Sequence, residues 1–534
     1  MSIQLLVTSF LLCSLPLIFV FYIFTKTTKA KRSSPTSNNL PKPYPIIGHF
    51  FHILSNRNQR FDWTTSVLKN ALSATYTFYP IQGLVQIWTA NPSNVQHILK
   101  THFHNYTKGI HFRTSLFDIL GNGIFNVNGD SWKFQRQISS HEFNTKSLRK
   151  FVEIAVKTEI SERLIPFLSA AAANKSVIDF QDILQRFAFD NICNIAFGYD
   201  PAYLLPSLPQ AEFAQAFDDS IRISMDRFKE PFIWKVKRLL NIGSEKRLKV
   251  AVSQVHEFAK NIIRDKRQEL QEKPSSESMD LLSRFLSSGQ YDDNFVRDII
   301  ISFTLAGRDT TSAALTWFFW LLSKNPEVER EILSEISGKS DTPDFEDIKE
   351  MVFTHASLCE SMRFYPPVPV DGKSAENDDV LPDGTVVKKG DGVIYSPYVM
   401  GRMESIWGKD WEEFKPERWL KKEEGGHGEK WSFVGRDPYT YPVFQAGPRI
   451  CLGKEMAFLQ MKGVVAGVLR RFKIVSAVED GFQPQFVASL TAKMKGGFPY
   501  IACKVQLQKI FPSPNPCSKD LNLKDVQAQA QMLT

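Results

Sequence analysis

The residues best placed to do chemistry lie in Phe444-Gln445-Ala446-Gly447-Pro448-Arg449-Ile450-Cys451-Leu452-Gly453. Gly447 and Gly453 permit tight backbone paths, so the segment can present Cys451 on a loop that runs into a helix. A helix starting near Gly453 would aim its N-terminal amides and the positive end of its dipole at the sulfur, favouring thiolate over thiol. A thiolate so placed suits the axial position of haem iron, where it pushes electron density towards the metal. Arg449 is then positioned to pair with a haem propionate, and Phe444 to shield the sulfur from water. A lone buried cysteine is ordinarily inert packing, and it is the surrounding pattern that argues for a ligand.

Three further groups carry signals. Ala306-Gly307-Arg308-Asp309-Thr310-Thr311 interrupts an apolar stretch, residues 298–322, that reads as a long buried helix ended by Asn325-Pro326. Small residues there would let a flat cofactor approach the backbone, and a threonine hydroxyl can compete with the main-chain ladder and open a groove. Glu360 and Arg363 share a helix face and are followed much later by Phe414-Lys415-Pro416-Glu417-Arg418-Trp419. Trp132 and Arg136, four apart on another predicted helix, can both donate hydrogen bonds to a propionate.

Positioning these groups requires a large domain, and 534 residues with 43% apolar and 23% charged side chains can build one. Residues 3–24 are uncharged and mostly apolar, and as a helix rising about 1.5 Å per residue they match roughly 30 Å of hydrocarbon. Lys26, Lys29, Lys31 and Arg32 follow at once, which predicts a signal anchor with the rest of the chain on the cytosolic side. The expected organisation is a transmembrane anchor (1–25), a basic and proline-rich linker (26–60), a catalytic domain (61–510) and a flexible tail (511–534). Within the linker, Pro41, Pro43 and Pro45 predict a stiff extended strap. A hairpin is expected over residues 75–89, helices dominate residues 91–358, and strands and turns follow Pro366, with Leu381-Pro382-Asp383-Gly384 a turn. The fold class is mainly α with a minor β region. Six dispersed cysteines without a CxxC pair argue against a disulfide framework or zinc site and for a reducing environment. A net charge of +8 without a clustered basic motif is no case for nucleic-acid binding.

The Cys451 segment resembles the haem-binding signature FxxGxRxCxG of the cytochrome P450 superfamily, with every fixed position filled. That resemblance implies the cytochrome P450 fold behind a single N-terminal transmembrane helix, with haem b (iron protoporphyrin IX) whose iron is held by Cys451. Ala306-Gly307-Arg308-Asp309-Thr310 is similar to the family's oxygen-activating motif, which implies Thr310 as the hydroxyl that steadies dioxygen and Asp309 as its proton source. By the same resemblance Glu360, Arg363 and Arg418 form a structural cluster tying a core helix to the cysteine loop, and Trp132 and Arg136 contact a propionate. The implied reaction is monooxygenation with O2. No GxGxxG fingerprint is visible, so the electrons are expected from a separate membrane-bound NADPH-cytochrome P450 reductase.

Tyr398-Val399-Met400-Gly401-Arg402-Met403, Asp378-Asp379-Val380-Leu381-Pro382-Asp383-Gly384, Ser140-His141-Glu142-Phe143 and Tyr365-Pro366-Pro367-Val368-Pro369-Val370-Asp371 resemble the plant fatty-acid ω-hydroxylase clan. The implied substrate is the terminal carbon of a small lipophilic chain, a fatty acid first. A sterol side-chain end (C-26/27) and a jasmonoyl-amino acid stay open, as do a haem-thiolate isomerase and a haem sensor. The implied location is the endoplasmic reticulum membrane. Candidate pocket walls are Phe125, Phe303, Ala306, Val368, Val370 and Leu490, with Lys108 or Arg113 as a cation for a substrate carboxylate and Gly121-Asn122-Gly123 as an adaptable entrance loop.

Overall fold

The computed structural model describes residues 40–504, apart from positions 46, 81–82, 144–145, 209–211, 231, 273–279, 288, 290, 340–343, 424–430, 479–480 and 488. The expected anchor at residues 1–25 and tail at 511–534 lie outside the described residues. Among those described, no helix is long and apolar enough to cross a membrane. The chain forms two compact units.

The first unit comprises the chain up to Gly109, Val370–Lys409 and Ala446–Pro448. Its five-stranded sheet runs in the order Thr75–Phe78, Gln86–Thr89, Gly392–Tyr395, Asp371–Ala375, Tyr106–Thr107. The first two strands are the expected hairpin, antiparallel, with Tyr76 opposite Trp88. Gln86–Thr89 then pairs in parallel with Gly392–Tyr395, a register that sequence pattern does not reveal. Ile87, Val393 and Tyr395 are fully buried on this sheet. The turn at Leu381 is present, with Gly384 N donating to Leu381 O at 2.8 Å and Gly384 at φ +84°. The proline segment departs from expectation: Tyr44 and Gly48 exchange both backbone hydrogen bonds, at 2.7 and 3.0 Å, so the strap curls instead of running extended. Proline fixes φ but leaves ψ free, and a glycine at φ +56° supplies the turn.

The second unit comprises Ile110–Pro369, Asp410–Gln445 and the chain from Arg449 onwards. Nine of its helices concern the site: α1 (Gly109–Leu120), α2 (Gly129–Phe143), α3 (Phe180–Phe197), α4 (Glu212–Asp226), α5 (Ile233–Leu239), α6 (Asp293–Thr304), α7 (Thr310–Leu322), α8 (Val352–Phe364) and α9 (Lys454–Leu469). Asp292 caps α6, its side chain accepting Asn294 N at 3.0 Å, and α7 stops before Asn325-Pro326, where Pro326 opens the next helix. Leu315, Trp317, Phe318 and Phe319 bury every side of α7, so it is a core helix, packed by α3, α8 and α9. A three-stranded sheet, Phe472–Ser476, Pro499–Lys504 and Val177–Asp179, joins chain segments far apart in sequence. Cys193, Cys359 and Cys451 are free.

Candidate active site

Cys451 sits where the sequence predicts, immediately before α9, whose N-cap is Gly453. Its amide donates to Phe444 O at 2.9 Å, closing the loop. In the first unit, a side chain at Gly447 would meet Leu99 O at 2.1 Å, and φ is +66°, so only glycine fits there. Cys451 is solvent-accessible, yet burial is the largest influence on its thiol and pushes it up, while the Gly453 amide, Arg136 and Lys454 pull it down. The Gly453 amide at the helix end acts in the expected direction, towards thiolate, while desolvation in the bare chain acts against it.

Around the sulfur the structure assembles the predicted set. Arg136 on α2 lies close enough to Cys451 for mutual electrostatic influence, and among the described residues it has no hydrogen-bond or ion-pair partner. The Arg449 guanidinium stands 4.6 Å from the Trp132 ring and donates to Val127 O at 2.8 Å and to Asn128 Oδ1 at 3.3 Å. Phe444 stacks near Phe458, ring centroids 5.4 Å apart. Trp132, Lys133, Arg136, Gln137, Ser140 and His141 bound a concavity of about 420 Å³ on α2. A free sulfur within electrostatic reach of Arg136, a cation without an ion-pair partner among the described residues, is the donor chemistry that a metalloporphyrin with propionates demands, and the residues fit the group.

Between α6 and α7 the helix widens into a π-turn, Leu305–Asp309. This is the local opening expected from the motif: Thr310 Oγ1 donates to Ala306 O at 2.5 Å instead of standing apart from the ladder. Phe303, Ala306 and Thr310 are the half-buried positions of this stretch and share one face, while the residues between them are buried. Gly307 serves a different purpose from the one expected. A Cβ there would lie 2.5 Å from the Ile192 side chain, so its smallness lets α3 pack against the π-turn.

Asp309 is buried, and its Oδ1 accepts no hydrogen bond. It is held by charge: Arg308 Nη1 lies 3.3 Å and Lys493 Nζ 3.8 Å from it. Both cations also grip Asp218 of α4, at 2.7 and 2.9 Å. Burial would raise the Asp218 carboxyl, but Arg308 and Lys493 hold it below the usual range. Sequence reasoning missed Asp218 and Lys493, because nothing local announces a partner brought from another element.

Glu360 and Arg363 are fully buried, with Arg418 at the edge of the cluster. Arg363 donates to both Glu360 oxygens at 2.8 and 2.9 Å, and Arg418 Nε reaches Oε1 at 3.2 Å. Trp419 Nε1 adds a bond at 2.9 Å, and Arg418 is also paired with Asp410 at 2.6 Å. The link onward to the cysteine loop is Tyr441, whose hydroxyl donates to Cys359 O on α8 at 2.8 Å and whose ring meets Trp419 at 4.7 Å. Trp419 stood in the quoted motif but was assigned no task, and Tyr441 was missed.

The candidate walls Phe125, Phe303, Ala306, Val368, Val370 and Leu490 are each half-buried. Of the two candidate cations, Lys108 is already paired with Asp371 at 3.2 Å. Arg113 on α1 has no ion-pair partner among the described residues, and its Nε is buried without an acceptor. Asn126, next to Phe125, donates to Arg113 O at 3.2 Å, which fixes α1 to that loop. The entrance loop is pinned, contrary to the adaptable segment expected: a Cβ at Gly121 would strike the Asp298 carboxylate at 2.2 Å, one at Gly123 the Ser302 hydroxyl at 2.3 Å, and Asn122 N donates to Asp298 at 2.8 Å.

A family model described as Cytochrome P450 matches residues 39–496. Over 512 residues, 94% of this chain and 98% of the relative, the sequence is 57% identical to cytochrome P450 94A2 of Vicia sativa. It is 59% identical over 462 residues (86% and 90%) to cytochrome P450 94A1 of the same species, and 50% identical over 484 residues (90% and 94%) to cytochrome P450 94B1 of Arabidopsis thaliana.

Proposed function

Because the chain belongs to the cytochrome P450 family, among the relatives numbered 94, and is a haem-thiolate monooxygenase, we propose that it hydroxylates the terminal carbon of a fatty acid. Its electrons come from NADPH-cytochrome P450 reductase, at the cytosolic face of the endoplasmic reticulum membrane. The haem, when bound, supplies the activation of O2 for insertion into a C–H bond. Cys451 Sγ would hold its iron and Arg136, Trp132 and Arg449 would take its propionates, with Phe444 excluding water from the sulfur. Thr310 Oγ1 would turn from Ala306 O to the accessible face it shares with Ala306 and Phe303, and Asp309, released from Arg308, would relay a proton towards that hydroxyl. Phe303 and Ala306, on the accessible face with Thr310, admit a narrow chain end.

The observation that supports the substrate class is Arg113, a half-buried guanidinium with no counter-ion among the described residues and with its Nε buried without an acceptor. An unpaired cation costs desolvation that an acyl carboxylate would offset. The test is a spectral titration of the holoprotein with fatty acids, hydroxysterols and jasmonoyl-amino acids, followed by product analysis with NADPH and reductase. Tightest binding and terminal hydroxylation with fatty acids are expected. A sterol or jasmonoyl conjugate turned over in preference would replace this substrate, and no O2 consumption with any of them would remove the hydroxylase reading.

A further inference from the structure

The described chain contains three π-turns. Leu305–Asp309 opens the oxygen motif, and Ile160–Leu164 precedes Pro166, whose ring disturbs the regular ladder behind it. The third, His97–Thr101 in the first unit, has neither explanation. Its closing bond, His102 N to His97 O at 2.8 Å, spans five residues and brings two imidazoles to one side, ring centroids 4.0 Å apart.

Both imidazoles converge on one oxygen. His97 Nε2 is 2.9 Å and His102 Nδ1 3.0 Å from Asp379 Oδ2, and the Tyr106 hydroxyl donates to that oxygen at 2.9 Å. The other oxygen, Oδ1, accepts the Val380 amide at 2.8 Å, so the carboxylate is fixed at both ends. Three donors on one oxygen exceed its two lone pairs.

We propose that His97, His102 and Asp379 form a binding site for a divalent transition-metal cation of the zinc class, with Tyr106 as the outer partner that orients the carboxylate. The three ligand atoms lie within 4.8 Å of one another. Neighbouring ligands of tetrahedral zinc, with bonds of roughly 2.0–2.1 Å, stand about 3.3 Å apart, and each histidine nitrogen is already within a few tenths of an ångström of that spacing from Asp379 Oδ2. Two imidazoles and one carboxylate suit zinc or cobalt, whereas calcium and magnesium prefer oxygen ligands alone. His97 and Asp379 are largely buried, while the His102 side chain is 47% exposed, leaving a side from which ion and water enter. The cation would staple the His97–Thr101 turn to the Asp379–Val380 strand within this unit, a role outside the oxygenation chemistry.

The full-length holoprotein in detergent, stripped with a chelator and dialysed, is titrated with Zn²⁺, and Co²⁺ is used as the spectroscopic probe. About one Zn²⁺ per chain beyond the haem iron is expected, with the visible absorption of tetrahedral Co²⁺. His102→Ala and His97→Ala lose that equivalent, and Tyr106→Phe weakens Zn²⁺ by about 10–100-fold. Circular dichroism and the reduced carbon-monoxide spectrum of each variant establish that the fold persists. Failure of the parent chain to take up stoichiometric Zn²⁺, or uptake that survives both histidine substitutions, overturns the site and leaves the cluster a hydrogen-bonded latch.

Discussion

Cys451 illustrates how a residue can be reachable and yet poorly solvated: its thiol is pushed up by burial, while Arg136, Lys454 and the Gly453 amide oppose that shift. Without a metal the sulfur is therefore held towards the thiol, and it would lose its proton to solvent when a Lewis acid takes up its electron pair. Cys451→Ala should remove the red-shifted Soret band that a thiolate gives the reduced carbon-monoxide complex, and a retained band would assign the ligand elsewhere. Thr310 has a subtler task. With its hydroxyl bonded to Ala306 O, Thr310→Ala should leave haem content intact but lower product formed per NADPH by about tenfold or more, with hydrogen peroxide taking up the difference. Coupling equal to that of the parent enzyme would remove Thr310 from the reaction. Arg113→Gln should weaken binding of a fatty acid on the order of 10–100-fold while sparing the corresponding alcohol, because only the carboxylate loses a charge-assisted bond. Equal losses for acid and alcohol would make Arg113 structural.

Elements carry the parts of this site that no residue reveals alone. The α6–π-turn–α7 rod was legible, because an apolar run broken by Gly307, Asp309 and Thr310 admits few other readings, and the Cys451 loop was legible from its two glycines. What the glycines touch was not: Gly121, Gly123 and Gly307 are small because Asp298, Ser302 and Ile192 press on them, and those neighbours arrive through tertiary packing. The grip of Asp218 and Lys493 on the Arg308–Asp309 pair was hidden for the same reason. A further buried junction gives an element-scale prediction. Glu159 ends the helix Lys146–Glu159 beside Arg163 and Asp190, and its carboxyl is pushed up to about 8, by burial first and the Asp190 charge second. A carboxyl raised in the native state is protonated there while the unfolded chain has already ionised. Its contribution is whole below the ordinary value of 4.5 and is lost as pH rises through about 8. Glu159→Gln, which cannot ionise, should thus gain about 1–3 kcal/mol over the parent at pH 9 and change little at pH 5, read from melting curves at the two pH values. A gain that does not grow with pH would mean that Glu159 stays charged, compensated by Arg163.

At the scale of the whole molecule the proposed membrane location turns on which surfaces could hold the chain there. The apolar run at residues 3–24 with its basic flank predicts a spanning anchor, and the catalytic unit adds a second apolar surface of its own. On α5 and its borders Phe232 (68%), Val236 (57%) and Leu239 (85%) are exposed, interspersed with Lys235, Lys237 and Arg238, while Trp234 points inward under the Arg227 guanidinium, 4.5 Å away. A short helix pinned by one buried tryptophan, with its remaining apolar side chains in water and cations between them, has the make-up of a segment that lies in a lipid interface. The two devices predict separable behaviour. Deleting residues 1–25 should preserve the carbon-monoxide spectrum and leave a chain that still co-sediments with anionic vesicles, less strongly as salt rises, because the basic share of the attraction is screened. Adding Leu239→Asp to that truncation should reduce vesicle partitioning by about tenfold or more, as roughly 1.5–3 kcal/mol of apolar burial is withdrawn. A truncated chain that ignores vesicles would leave the anchor as the sole attachment, and one that binds equally with and without Leu239 would place the second contact away from α5.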